Sequence, residues 1–218
     1  MGRELFVSVP RLTIMLALLA LLGLFSCSVS QREAADQSLI NADFKIELSQ
    51  YQHSPYKQVE AQFTTEQNLQ LVFRVLSDLQ RTAQWFEHLQ AIETLEIYSN
   101  QQFLLRTIIK SPWPFTDREL ITCVATEFEP KRIQIRVSAC SDRYPPNPQW
   151  VRVSATNATW TLQQQASGTV LVNYKAWLDP NGNVPALFYN QQLIASTTAS
   201  LHQLIKLIES SSLQQYAY

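Results

Sequence analysis

Apolar residues follow three regimes along the chain: an unbroken run near the N-terminus, alternation through the middle and helical spacing at the end. The run is Leu12 to Phe25, interrupted only by Thr13 and Gly23 and preceded by Arg3 and Arg11. At about 14 residues it falls short of the ~20 needed to cross a bilayer, and it reads as the core of a signal peptide. In the middle, Val59, Ala61 and Phe63 alternate with Gln58, Glu60 and Gln62, which predicts a strand over Lys57 to Thr64. Further strands are expected at Ala91 to Tyr98, Gln101 to Ile109, Glu119 to Phe128, Lys131 to Cys140, Trp150 to Gln164 and Thr169 to Asp179. Tyr144 to Pro148 is a proline-rich loop.

Helical spacing appears in four places. A short helix is expected around Ala35 to Ser49. Thr65 reads as an N-cap ahead of Leu69, Val72, Phe73, Leu76 and Leu79, and Thr82 to Leu89 reads as a second short helix with Trp85 and Phe86. The turn Asp179-Pro180-Asn181-Gly182-Asn183 and Pro185 then introduce a long helix, Ala186 to about Ser211, free of proline and glycine. Its apolar stripe is Leu187, Ile194, Thr198, Leu201, Ile205 and Ile208, and such a stripe needs a surface to cover. The sheet is the available one, so the expected class is α+β, an antiparallel sheet packed on one long C-terminal helix.

Composition narrows the function. Whole-chain charge is 17 Lys+Arg against 18 Asp+Glu, and losing Arg3, Arg11 and Glu4 with the signal leaves 15 against 17. Nothing in that balance calls for nucleic acid. After the signal only Gly168 and Gly182 remain, too few for a glycine-rich phosphate loop. His53, His88 and His202 have no metal-ligand spacing, no nucleophile-elbow or zinc-protease motif is present, and no cofactor is implied. The cysteines are Cys27, Cys123 and Cys140. A tight hairpin at Glu129-Pro130 puts Cys123 opposite a residue near Arg136 and Cys140 opposite one near Glu119, so no bridge between them is expected.

Leu24-Phe25-Ser26-Cys27 resembles the bacterial lipobox, with Cys27 as the lipidated residue and Phe25 bulkier than the usual occupant. A plain cleaved signal and an uncleaved anchor are the alternatives. The expected organisation is a signal peptide of the lipoprotein type over 1–26, a polar spacer over 27–34, a domain over 35–212 and a tail over 213–218. The expected location is outside the cytoplasm, in the cell envelope or periplasm, anchored to the membrane through Cys27.

Two motifs carry a family resemblance. One is Ser111-Pro112-Trp113-Pro114-Phe115-Thr116-Asp117-Arg118-Glu119-Leu120. The other is Thr169-Val170-Leu171-Val172-Asn173-Tyr174 followed by Asp179-Pro180-Asn181-Gly182-Asn183-Val184-Pro185, with Trp160 upstream. Together they resemble the START domain, the steroidogenic-acute-regulatory-related lipid-transfer family, over roughly Ala35 to Ser210. The resemblance implies a helix-grip fold: a curved antiparallel sheet wrapped around the C-terminal helix, with an internal apolar tunnel for a lipid or other hydrophobic ligand. It implies binding or transfer without catalysis. A polyketide cyclase or hydrolase-like enzyme of the same superfamily, and an envelope interaction protein with a collapsed tunnel, are the alternatives. Oligomeric state is not legible.

The candidate ligand contacts are Arg118, Tyr174, Leu187, Asn190, Gln191, Ile194 and Thr198. Arg118 either meets the polar end of a ligand or forms a structural ion pair with a carboxylate. Tyr174 and Trp177 sit on opposite faces of the last strand, so one of them faces the tunnel; Tyr174, in phase with Val170 and Val172, is the better candidate. Asn190, Gln191 and Thr198 are polar groups beside the helix stripe, and Leu187 and Ile194 are wall candidates. Each has a bland alternative as core or solvated flank.

Overall fold

The computed structural model describes residues 44–216. The signal segment, Cys27, the spacer and most of the expected Ala35 to Ser49 helix lie outside the described residues. The last five positions of that helix form a strand instead, β1 (Lys45–Ser49), paired with β2 (Gln58–Thr65). One helix, α1 (Leu69–Ser77), follows β2. Its cap is Asn68, whose side chain accepts from the backbone of Gln70 and Leu71. Thr65, the expected cap, is buried and donates to Glu209 near the chain's other end. Of the expected Thr82 to Leu89 helix only a 3₁₀ turn forms, Thr82–Gln84. His88 adopts a positive φ of 63°, and the chain turns there into a strand.

The strands β3 (Leu89–Ser99), β4 (Gln102–Ile109), β5 (Arg118–Glu129), β6 (Arg132–Ala139), β7 (Val151–Val153), β8 (Ala155–Gln164) and β9 (Val170–Asp179) complete the sheet. Its order is β1-β2-β9-β8-β6-β5-β4-β3, antiparallel along this path. The expected single strand over Trp150 to Gln164 breaks at Ser154. Its short first part, β7, pairs parallel with Arg118–Leu120, where β6 does not reach. The long helix α2 (Ala186–Ser210) lies against the sheet. This is the helix-grip arrangement.

The core gathers at one end. Leu201, Leu204, Ile205, Leu207 and Ile208 of α2 are buried with Phe63, Leu71, Val72, Val75, Leu162, Val170 and Val172. Burial of each such side chain stabilises the fold by about 1.5–3 kcal/mol. The expected tail begins with a 3₁₀ turn, Leu213–Tyr216, tied down by Arg81 donating to the Tyr216 hydroxyl at 2.9 Å.

Cys123 and Cys140 form a disulfide, which corrects the expectation that they lie too far apart. The hairpin closes on Glu129↔Arg132, so Cys123 faces Ser138 and the Cys140 N–H bonds Ile121. This register differs by two residues from the expected one. It turns a gap of four residues along the ladder into a diagonal pair with Cα atoms 5.6 Å apart.

Candidate functional site

The sheet and the N-terminal half of α2 do not close on each other. Between them is a cavity of about 630 Å³. The collapsed tunnel held open as an alternative is therefore not what the chain forms. Alternation decides which side chains reach the cavity. Phe103, Leu105, Thr107 and Ile109 face it from β4, and Arg118, Leu120, Thr122, Val124 and Thr126 from β5. Tyr174, Ala176 and Leu178 face it from β9. Opposite them, α2 contributes Phe188, Tyr189, Leu193, Ser196 and Thr197. The C-terminal half of the helix seals the core and the N-terminal half roofs the cavity.

Arg118 is at the cavity wall and only 8% exposed. The carboxylate partner expected for it is not what holds it. Its Nε donates to Pro180 O at 3.0 Å and Nη2 to Asn181 O at 3.1 Å, while Nη1 reaches Thr116 O and the Ser111 hydroxyl. The guanidinium thus ties the 111–117 loop to the turn that starts α2. Asp117 instead accepts from the Ser111 N–H and closes the loop. Gly182 belongs to that turn, at φ 71°, and a Cβ there would come within 4.0 Å of Arg118 Nη2. Burial lowers the Arg118 pKa, with Tyr56, Asp117 and Tyr189 opposing the shift.

Tyr174 stacks on Trp160 across the β8–β9 pair, ring centroids 4.1 Å apart. Burial pushes its phenol up to about 12. Tyr189 is raised too, first by burial and then by the nearby Tyr174, Asp179 and Tyr56. Both rings are only partly covered by protein, because their open surface faces the cavity. Neither hydroxyl forms a hydrogen bond among the described residues. Trp177 also borders the cavity, but its ring stacks on Tyr51 at 4.1 Å and its N–H donates to Tyr56 O at 3.1 Å.

The helix candidates fare differently. Leu187 is 74% exposed, and Asn190, Gln191, Ile194 and Thr198 are likewise off the cavity wall. Asn190 is a tether, accepting from Lys57 N at 2.8 Å and donating to Pro55 O. Thr198 donates back to Ile194 O within the helix. The cavity face is instead the one through Phe188, Tyr189, Gln192, Leu193, Ser196 and Thr197. An apolar stripe misses it because half of these residues are polar. Trp85, Phe86 and Trp160 are further wall residues; they are large aromatics inside predicted elements, and their size is a signal that periodicity alone does not use.

Among the described residues no group of three or more His, Cys, Asp or Glu could hold a metal ion. Among the described residues the cavity wall includes Arg118, Lys110, Glu87 and His88, with Glu87 and His88 3.9 Å apart.

A family model of the START domain matches residues 31–204. An uncharacterised protein of Pseudomonas aeruginosa is 23% identical over 161 residues, covering 73% of this chain and 79% of its own length. Among solved structures, a STAR-related lipid transfer protein from Xanthomonas axonopodis superposes with a TM-score of 0.69 at 23% identity, over 78% of this chain and 95% of that one. Human StAR-related lipid transfer protein 5 superposes with a TM-score of 0.67 at 15% identity, over 88% of this chain and 100% of that one. At these identities the structural likeness speaks for the fold alone.

Proposed function

The chain belongs to the START-domain family, and from that premise we propose that it is a binding module holding a lipid or similar apolar small molecule in the cavity between sheet and helix. One observation carries the reading: about 630 Å³ of interior space walled mainly by apolar side chains, where a packed core would otherwise lie. That volume is within the range of small-molecule sites, roughly 300–1,000 Å³. Water would find few partners along Leu105, Val124, Ile135 and Val137, so a hydrocarbon body displaces it favourably. Arg118, Tyr174 and Tyr189 supply polar contacts for the head of such a ligand.

The proposal extends to place and role. The N-terminal run reads as an export signal with Cys27 as a lipid anchor, and the Cys123–Cys140 disulfide favours an oxidising compartment. Trp113, 92% exposed, lies between the wall residues Pro112 and Phe115, and Leu187 precedes the wall residue Phe188. The Phe115 and Phe188 rings are 5.4 Å apart, so the segments that carry Trp113 and Leu187 meet at the cavity wall. Tryptophan there suits contact with a membrane surface, from which an apolar cargo is collected or returned. The two similar structures are named lipid transfer proteins; joined to the export signal, lipid transfer in the cell envelope is the function proposed.

The test is mass spectrometry of an organic extract of the protein purified from its native host. One lipid class is expected, near one molecule per protein. No hydrophobic compound enriched over a control protein, and no binding of octadecanoate or phospholipid in vitro, would overturn the reading.

A further inference from the structure

We propose that Tyr174 and Tyr189 form a two-donor site for the head of the cargo, and that this head is an anion, the carboxylate of a long-chain acid, lying in the field of Arg118. This names the ligand class for the binding function proposed above and rests on it.

The two phenols reach one space from opposite walls, Tyr174 from the inner face of β9 and Tyr189 from the first turn of α2. Neither hydroxyl has a partner among the described residues, yet neither is sealed in protein. Among those residues the one partnerless side-chain nitrogen or oxygen wholly covered by protein is the Trp85 indole nitrogen. Each phenol oxygen therefore keeps open surface. Burial is the first cause of the raised pKa in both, so that surface belongs to the cavity and not to bulk solvent. The two hydroxyls are also near enough for the charge of a Tyr174 phenolate to oppose ionisation of Tyr189. Tyr56 is a useful contrast: edge-on to Tyr189 with ring centroids 5.1 Å apart, it meets protein and donates to Val184 O at 3.0 Å.

Charge decides what the phenols meet. Arg118 is buried, and a buried cation ordinarily has an anion beside it. Here its hydrogen bonds all go to neutral oxygens, those of Pro180, Asn181, Thr116 and Ser111, and it has no ion pair among the described residues. Asp117 acts on it from a distance, but that carboxylate takes the Ser111 N–H, and Asp179 takes the Asn181 N–H. Arg118 and Tyr189 each shift the ionisation of the other, so the field of the guanidinium extends to the phenols. A carboxylate between them has two oxygens for two O–H donors, and hydrogen bonds to an anion are the stronger kind.

The rest of the wall fits such a molecule. Glu87 is the one carboxylate among the described wall residues, and it is exposed. Its backbone N–H bonds Ser200, which is about 16 Å along the helix axis from Tyr189. A cationic head at the phenols would find Arg118 and no carboxylate on the wall. Away from Arg118 the inner face of β5 continues through Leu120 to Val124, about 20 Å along the strand, with Leu105 and Phe103 beside it on β4. That length of mostly apolar wall takes the tail.

The experiment measures equilibrium binding of radiolabelled octadecanoate, octadecanol, methyl octadecanoate and octadecylamine to delipidated protein at neutral pH, for wild type, Tyr174→Phe and Tyr189→Phe. Octadecanoate should bind wild type about tenfold more tightly than the alcohol or the ester, and octadecylamine most weakly. Each substitution should cost octadecanoate about tenfold and octadecanol about threefold or less. Because neither hydroxyl is bonded in the empty fold, both ligand-free variants should melt no lower than wild type. The ring ζ-carbon resonances of Tyr174 and Tyr189 should move with octadecanoate, a readout that needs no variant to fold. If the alcohol, the ester or the amine binds as tightly as the acid, or the preference for the acid survives both substitutions, the head assignment falls alone. If none of the four compounds binds wild type, the binding function falls and the assignment with it.

Discussion

Replacing Glu119 with glutamine separates what holds the sheet together from what the cavity does. Arg118 and Glu119 are consecutive on β5 and so face opposite sides of the sheet. Arg118 reaches the cavity. Glu119 has 0% side-chain exposure and accepts from Arg106 Nε at 2.7 Å and from Arg152 Nε and Nη2 at 3.0 and 2.7 Å. Arg152 uses its remaining donors on the carbonyls of Ser141, Tyr144 and Pro145, which fixes the proline-rich loop. Arg106 also meets Glu93 at 2.7 Å and lies over the Trp150 ring at 4.7 Å. Glutamine keeps the shape but removes the charge, and its NH₂ group faces an arginine. Two arginine side chains, 18% and 14% exposed, then lose their shared counter-charge. Breaking a buried pair costs about 3–5 kcal/mol, and the amide oxygen still accepts, so the lower end, about 3, applies. For a domain of this size that is a fall in Tm of roughly 6–12 °C. The acid limb adds a second signature. Burial alone would raise the Glu119 pKa, but hydrogen bonds and charge from Arg152 and Arg106 outweigh it and lower it. A lowered carboxylate stabilises fully above the unfolded pKa near ~4.3, and that contribution is lost as pH falls through the folded value. Thermal melts of wild type and Glu119→Gln should therefore begin to approach each other as pH falls below about 4.3 and meet only below the lowered folded value. Ligand affinity at neutral pH should stay within about twofold, as expected for a side chain on the far face. A Tm within ~2 °C of wild type, or a loss of affinity matching the loss of stability, would refute the division of labour between these neighbours.

Two further outcomes are expected. Cys123→Ala with Cys140→Ala removes a link across 17 residues, and chain entropy puts its worth at about 3 kcal/mol; reductant should lower the wild-type melt to that of the variant and leave the variant unmoved, and equal melts in all four cases would show that the link contributes nothing. At the alkaline end Tyr174, pushed up to about 12 by burial, stays protonated in the fold while the unfolded phenol ionises near 10. A raised acid pKa stabilises fully below the unfolded value and is lost as pH rises through the folded one, so denaturant titrations from pH 10 to 12 should show wild type losing about 2–3 kcal/mol more than Tyr174→Phe; parallel curves would contradict the buried, cavity-facing phenol.

Much of the architecture was readable because it depends on period alone. Alternation located β2, β4, β5, β6 and β9 to within a residue or two, and the proline- and glycine-free stretch located α2. Where the reading failed, it failed on register. The Cys123–Cys140 link turned on whether the hairpin closes at Glu129↔Arg132 or two residues tighter, and nothing in the alternation distinguishes the two, since both keep every side chain on its own face. Ser154 breaks a pattern that is otherwise continuous from β7 to β8, because Arg118–Leu120 needs a partner where β6 has ended. Asn68 displaced Thr65 as the α1 cap because Thr65 is engaged by Glu209, a contact 144 residues away that no local pattern records.

The cavity face of α2 is the more instructive case. Pattern reading sorts positions into core and solvent, and it drew the helix stripe through Leu187, Ile194 and Thr198 on that basis. A cavity wall is neither. Its residues are shielded from bulk water, yet they do not pack on protein, so polar groups persist there wherever something other than protein can meet them. Gln192, Ser196, Thr197 and Ser200 look like a solvated flank in sequence, and in the fold they line the same space as Phe188 and Leu193. Arg118 and Tyr174 were within reach because each sits on a strand whose alternation fixed its direction independently of its polarity. Polar groups on an otherwise apolar inner face are therefore the part of a cavity wall that pattern reading is least able to place.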